Sequence, residues 1–155
     1  MPLNRPLRDY FQRLAGCTAT LPQQEIVLAL DGLTVEDWLT DLRGPSANGR
    51  RLVLHTGKLQ DRLDKVTREW VLHLAACAAG QPLTTYIQGQ DGRFTLPSLS
   101  REQAQQNLDR IGHAWQQALC EPLPVACATA FAWLKGAEKD NGEQEARKAF
   151  ESGFM

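Results

Sequence analysis

No excess of positive charge marks this chain. Its 17 lysines and arginines stand against 18 aspartates and glutamates, a formal net charge of −1. Stand-alone nucleic-acid binders carry a clear basic surplus, so tight, unaided DNA binding is not expected; a local basic patch is compatible with the total. Cysteines are few and scattered: Cys17, Cys77, Cys120 and Cys127 make no CxxC pair and no dense framework. They read as reduced, mostly buried thiols of a cytoplasmic protein. No apolar run is long enough for a bilayer. The longest uncharged one, "PLPVACATAFAWL" (122–134), is short and broken by proline, so no membrane partner is expected. No signal-peptide pattern opens the chain. A P-loop, a GxGxxG and an internal repeat are also missing, and no spacing nominates a Ser/His/Asp set, so no cofactor and no small-molecule substrate are expected.

What remains is an ordinary globular composition, 43% apolar and 23% charged over 155 residues, enough for one domain with a core. "LNRPLRDYFQRLAG" (3–16) reads as a short helix with Leu7, Tyr10, Phe11 and Leu14 on one face. "EIVLAL" (25–30), the turn signal Asp31-Gly32 and "LTVEDWL" (33–39) read as two strands, and "RLVLHT" (51–56) as the third strand of a meander. Leu59, Leu63, Val66, Trp70, Leu74 and Cys77 keep helical spacing over 59–79, closed by Gly80 and Pro82. "LTTYIQ" (83–88) and "RFTLP" (93–97) flank Asp91-Gly92 as a hairpin. Ser100 and Gln103 form a capping box for a helix carrying Ala104, Leu108, Ile111, Trp115 and Leu119. A further helix covers 125–136, "DNGEQ" (140–144) is a polar linker, and a last helix starts at 145. This is an α+β (α/β-like) fold with a mixed sheet flanked by helices. Its order α-β-β-β-α-β is that of the restriction-endonuclease-like, PD-(D/E)XK, fold.

Three side-chain groups invite a bolder chemistry than they support. His73 and Cys77, four residues apart on one helix, are half of a zinc site with no second half at standard spacing; a buried thiol is the plainer reading, and no metal is expected. Trp38, Trp70, Trp115 and Trp133 suit base stacking, but three fall on apolar helical stripes, which favours core packing. Arg50, Arg51, Lys58, Arg62 and Lys65 could track phosphates, but Asp61, Asp64 and Glu69 dilute them, and a solvated helix face is the plainer reading.

Four stretches resemble the C-terminal region of the RecC family, the gamma subunit of exodeoxyribonuclease V. They are "RPLRDYFQRLAG" (5–16), "HTGKLQDRLDKVTREWVLHLAACAAG" (55–80), "GQDGRFTLPSLSREQA" (89–104) and "PLP…AFAWLKG…ARKAFESG" (122–153). The second and third are the most specific. The interval from Gly16 to Glu25 is shorter than the family pattern. The resemblance implies one nuclease-like domain over 1–155, a piece of a much longer subunit, in a RecBCD-type helicase–nuclease that processes DNA ends in double-strand-break repair and recombination. It implies RecB- and RecD-type subunits, and DNA in the context of the complex, as partners.

The resemblance also implies lost chemistry. In the active nuclease domain of RecB the corresponding strand ends in a "D-Y-K-T-G-K"-like motif. Anchoring on Thr56-Gly57-Lys58 puts Val53 at the acid and His55 at the lysine, with Asp41 as the leftover first acid. Mg²⁺ is held by carboxylate oxygens, which Val53 does not offer. The expected function is therefore a non-catalytic domain that helps strand separation and subunit docking. The parent complex would be an ATP-dependent exodeoxyribonuclease. The expected DNA-contacting residues are Arg50, Arg51, Lys58 and Arg62. Two alternatives stay open: an active Mg²⁺-dependent nuclease with a rearranged site using Asp41, and a free-standing adaptor with no DNA role.

Overall fold

The alternation in the first apolar segment sends Ile26 and Leu28 to one side of a strand and Glu25, Val27 and Ala29 to the other. In the computed structural model, which describes residues 8, 12, 20–44, 49–60, 62–121 and 126–152, this segment is β1 (Gln24–Leu30). It pairs antiparallel with β2 (Leu33–Leu39) from Leu30↔Leu33 to Gln24↔Leu39. Gly32 closes the turn at φ 73°, a conformation that glycine adopts without steric cost. Ile26, Leu28 and Leu39 are buried, while Val27 and Trp38 stand outward. The helix expected over 3–16 falls outside the described residues except at Arg8 and Gln12.

The expected three-strand meander is not what forms. β1 and β2 make a two-stranded sheet of their own. The main sheet has the order β3-β4-β5-β6, with β3 (Leu42–Arg43), β4 (Gly49–Leu54), β5 (Leu83–Gln88) and β6 (Arg93–Leu96). The break comes at Asp41, which takes a left-handed φ of 61° that ends β2 and re-aims the chain. Leu42 then pairs with Arg51, and Leu52 N–H donates to the Asp41 carbonyl at 3.2 Å. β4 is internal as expected, antiparallel to β3 and parallel to β5. The sheet is therefore mixed. The β5–β6 hairpin is antiparallel, as its turn signal predicted.

Helix α1 (Asp64–Ala78) makes the crossover from β4 to β5. It starts five residues later than the apolar spacing predicted, because Leu59 is held in the preceding loop. Its second half is buried on nearly all sides: Leu74, Ala75, Ala76, Cys77 and Ala78 sit between the main sheet and the ribbon. The run of small side chains lets other elements approach closely. The ribbon's Ile26, Leu28 and Leu39 join this core, as do Leu83 of β5 and Ala104 and Leu108 of α2 (Arg101–Cys120). α2 begins with the predicted capping box: Gln103 N–H donates to Ser100 Oγ at 3.2 Å, and Ser100 N–H to Gln103 Oε1 at 3.4 Å. A second cluster fills the other end of the main sheet, with Leu59, Val66 and Ile87 buried against Val53, Phe94 and Leu96.

α3 (Cys127–Ala137) and α4 (Gly142–Ser152) form a helical hairpin. α4 begins inside the segment expected as a polar linker. Gly136 and Gly142 allow the helices to touch, since a Cβ on Gly136 would lie 2.8 Å from Gly142 Cα. Further expectations fail. The four tryptophans are not core residues: Trp38, Trp70, Trp115 and Trp133 are all substantially exposed. On α2 the apolar stripe outruns the core it faces, so no residue after Gly112 is buried. Among the described residues the cysteines are not mostly buried either: Cys77 is, whereas Cys120 and Cys127 are exposed thiols, and Cys17 lies outside the described residues.

The charged side chain of Arg51 is taken inside and satisfied there. Arg51, 4% exposed, pairs with Glu69 at 2.5 Å and donates through Nε to the Thr40 carbonyl at 3.1 Å. This ties β4 to α1 and to the end of β2. Removing one partner of such a pair strands a buried charge. Glu69→Ala should therefore destabilise the protein by about 3 kcal/mol, whereas Arg51→Met, which removes the charge itself, should cost less. Urea denaturation curves decide the point; equal losses would show that the pairing does not carry the cost.

Candidate functional site

β4 ends where the family resemblance places a catalytic motif. Val53 lies half-buried on the α1 side of the sheet and packs into the cluster of Leu59, Val66, Ile87, Phe94 and Leu96. His55 continues the strand, its N–H donating to the Gln88 carbonyl at 2.8 Å. Its Nδ1 accepts from Gly57 N–H at 3.3 Å, so the ring is turned back on its own loop. Asp41 sits across from Leu52, one residue from the Val53 position. Its carboxylate is exposed and accepts from the Thr40 hydroxyl at 3.0 Å. The three positions thus gather at one end of β4, but they bring one carboxylate, one imidazole and one apolar side chain. Among the described residues no group of three or more His, Cys, Asp or Glu side chains could hold a metal ion.

In place of a metal centre this end of the sheet holds a dense hydrogen-bonded clamp. The Asp91 carboxylate, at the tip of the β5–β6 hairpin, accepts from Leu59 N–H at 2.7 Å and from Gln60 N–H at 3.2 Å. Gln60 Nε2 donates back to the Asp91 carbonyl at 2.9 Å. Gln90 donates through its N–H to the Gly57 carbonyl and through Nε2 to the Thr56 carbonyl. Gln88 Nε2 donates to the carbonyls of Gly89 and Gly92, which holds the hairpin tip in shape. Leu59 is fully buried beneath, and a Cβ on Gly89 would lie 2.7 Å from its Cγ. The loop 55–60 and the turn 88–92 are therefore one unit. They come from the two most specific stretches of the family resemblance. The backbone donors, Leu59 N–H foremost, hold the Asp91 carboxyl below the usual carboxylate range. Sequence reasoning read Asp91 only as a turn residue; no spacing rule links it to Leu59.

The expected phosphate-contacting residues do not converge. Arg51 is withdrawn from that role, because its guanidinium is buried and engaged by Glu69 and Thr40. Arg50 is exposed near the start of β4, and Lys58 is exposed in the loop beyond its end. Arg62 is exposed but forms a two-point pair with Asp64 at 3.0 Å, which raises its pKa. It borders an open groove of about 500 Å³ between the start of α1 and the α3–α4 hairpin, where Lys135 and Lys139 also lie.

His73 and Cys77 are structural, as the plainer reading had it. His73 Nε2 lies 3.0 Å from the Pro97 carbonyl, which only accepts, so Nε2 carries the proton. Nδ1 then accepts from the Thr85 hydroxyl at 3.0 Å. Both ring nitrogens are spent on joining α1 to β5 and to the segment after β6. Burial first of all lowers the pKa of His73.

The chain matches the family of the RecC C-terminal domain over residues 2–138. It is similar to the RecBCD enzyme subunit RecC of Escherichia coli (strain K12), 27% identical over 130 residues. That alignment covers 83% of this chain and 11% of the relative, so the chain spans about a ninth of that protein's length. The matched residues include both halves of the clamp, while α4 lies beyond them.

His73 and Asp91 act in separate acid windows. A histidine whose folded pKa is lowered contributes stability that is complete above its unfolded value, about 6.5, and is lost as pH falls below it. A carboxylate whose folded pKa is lowered contributes stability that is complete above its unfolded value, about 4, and is lost as pH falls through the folded one. His73→Gln should therefore flatten the decline of the melting temperature just below about pH 6.5, and Asp91→Asn the later decline below about pH 4. Calorimetric melts of both variants across the acid range test this; unchanged slopes would remove the assigned roles.

Proposed function

The chain belongs to the RecC C-terminal domain family, and from that premise we propose that it is a non-catalytic structural and protein-interaction domain with a degenerate restriction-endonuclease-like fold. It acts in a RecBCD-type helicase–nuclease, exodeoxyribonuclease V, in double-strand-break repair and recombination. It docks against RecB- and RecD-type subunits and helps keep separated DNA strands apart. DNA reaches it because those subunits hold it there, which raises the local concentration.

One observation carries the reading. The position at which an active relative would offer a carboxylate is Val53, turned into an apolar cluster with Leu59, Val66, Ile87, Phe94 and Leu96. A hard cation needs several oxygen ligands, and a side chain committed to a core cannot supply one. The loop that follows is occupied as well. Its N–H groups at Leu59 and Gln60 are bound to Asp91, so they are not displayed to a phosphate. The mixed sheet and the parallel β4-α1-β5 crossover are compatible with the nuclease-like ancestry.

The purified chain should cleave neither single- nor double-stranded linear DNA with Mg²⁺ or Mn²⁺. Cleavage that vanishes in Asp41→Ala would replace this reading with the rearranged nuclease. Duplex binding should be weak at low salt and fall further as salt rises, with a logarithmic slope of about 0.9 for each phosphate neutralised. Arg50→Glu and Lys58→Glu should weaken it, and Arg62→Glu should weaken it less because Arg62 is already paired. Arg147→Glu on α4 should leave it unchanged. Tight, salt-insensitive binding would mean a base- or shape-reading surface and would overturn the tethered role.

A further inference from the structure

We propose that the outer face of the β1–β2 ribbon docks an extended, lysine- or arginine-bearing segment of a protein partner, bound across Val27 and Trp38 and between Glu25 and Glu36. The proposal rests on the docking role given to the domain above and names the surface and the chemistry of its occupant.

The register puts these four side chains on one face. Residues opposite each other in an antiparallel pair point the same way. Glu25 stands opposite Trp38, and Val27 opposite Glu36. Apolar and acidic groups therefore alternate on the diagonals of a small square. Val27 is 58% exposed and Trp38 50%, on a face whose reverse side is the core. Trp and an aliphatic neighbour flanked by charge form the usual anatomy of a small binding anchor and its rim.

The ribbon is also unfinished as a sheet. Two strands of seven residues pair only with each other, so among the described residues both outer edges lack a ladder partner. Soluble proteins commonly guard such edges with lysine, proline or a bulge. Neither strand contains any of the three. The guard here is charge of one sign. From Thr20 to Leu42 the chain carries Glu25, Asp31, Glu36, Asp37 and Asp41, and no Lys, Arg or His.

That charge selects the occupant. A second copy would bring the same acidic ribbon, and like charges laid directly opposite destabilise a strand pair. Nucleic acid is repelled for the same reason. A basic extended segment laid over the face gains apolar contact with Val27 and Trp38 and opposite charge at Glu25 and Glu36. The ribbon is then protected while the partner is absent and attractive once it arrives.

The test uses the full chain and two synthetic peptides of equal length, one alternating lysine with valine and one alternating glutamate with valine. Binding is followed by amide chemical shifts over residues 24–39, with thermal melts to confirm that each variant is folded. The lysine peptide should bind saturably and the glutamate peptide should not. Trp38→Ala should weaken the lysine peptide about tenfold, as loss of an aromatic anchor does. The double change Glu25→Lys with Glu36→Lys should exchange the preference. Equal binding of both peptides, no binding of the lysine peptide, or binding indifferent to both variants would overturn the proposal. So would concentration-dependent self-association that Trp38→Ala abolishes, since the occupant would then be a second copy. None of these outcomes touches the nuclease assay, so the non-catalytic reading and the docking surface fail separately.

Discussion

The carboxylate of Asp91, closed on the N–H groups of Leu59 and Gln60, is the constraint on which this end of the protein depends. Between β4 and α1 the chain must turn over the edge of the sheet, and a turn there exposes backbone donors. Water would satisfy them at the cost of a mobile loop. The hairpin tip satisfies them instead, and in doing so presses Leu59 into the core at 0% exposure. Leu59 covers Val53, Ile87 and Val66, so the apolar cluster is finished by the same contact. Gly89 is needed for it, because any side chain there would meet Leu59. A hydrogen bond, a plug and a glycine are one device.

On the reading proposed above, that device would let a nuclease-like frame persist without nuclease chemistry. Catalytic carboxylates grouped around a metal repel one another, and the ion offsets the repulsion. Here the loop is held by an internal carboxylate whose partners are backbone amides. The loop closes on backbone amides, and Val53, which the resemblance aligns with the acid, adds to the core. The other inward polar groups follow the same rule. His73 is buried with both ring nitrogens engaged, and Arg51 is buried with Glu69. Each joins α1 to the main sheet, so the central helix is fixed on that side by polar bonds of defined geometry as well as by burial.

Much of this was legible residue by residue, and the failures have physical causes. The turns at Asp31-Gly32 and Asp91-Gly92 and the capping box at Ser100 are local devices, and local devices read true. The split of the sheet was invisible, because it turns on the left-handed φ of Asp41, which many aspartates never adopt. Leu59 fits the helical period of α1, yet a long-range acceptor holds its N–H in a loop. Periodicity also misled for Trp115: a stripe says which face is apolar, not how far the core extends beneath it. Arg51 was assigned to solvent because arginine usually is. Its burial follows from Glu69, eighteen residues away and one helix across. The alignment of Asp41, Val53 and His55 with catalytic positions comes from the family likeness alone, and the structure shows what surrounds each of them.

Net charge was the least informative of the numbers. A total near zero is compatible with a local patch, and the clearest one in the fold is acidic. The ribbon between Thr20 and Leu42 is purely acidic, whereas elsewhere the signs are interspersed: Arg51 pairs with Glu69, Arg62 with Asp64, and Lys135 and Lys139 share the helical hairpin with Glu138, Asp140, Glu143 and Glu145. In the docking role proposed above, this ribbon would favour a basic protein segment and repel phosphate at contact distances where salt screens little. On the same reading the near-zero sum leaves the isolated chain a weak DNA binder, and the proposed partners would set its occupancy of DNA. One acidic ribbon in an otherwise balanced chain is the electrostatic form that the proposed tethered role calls for.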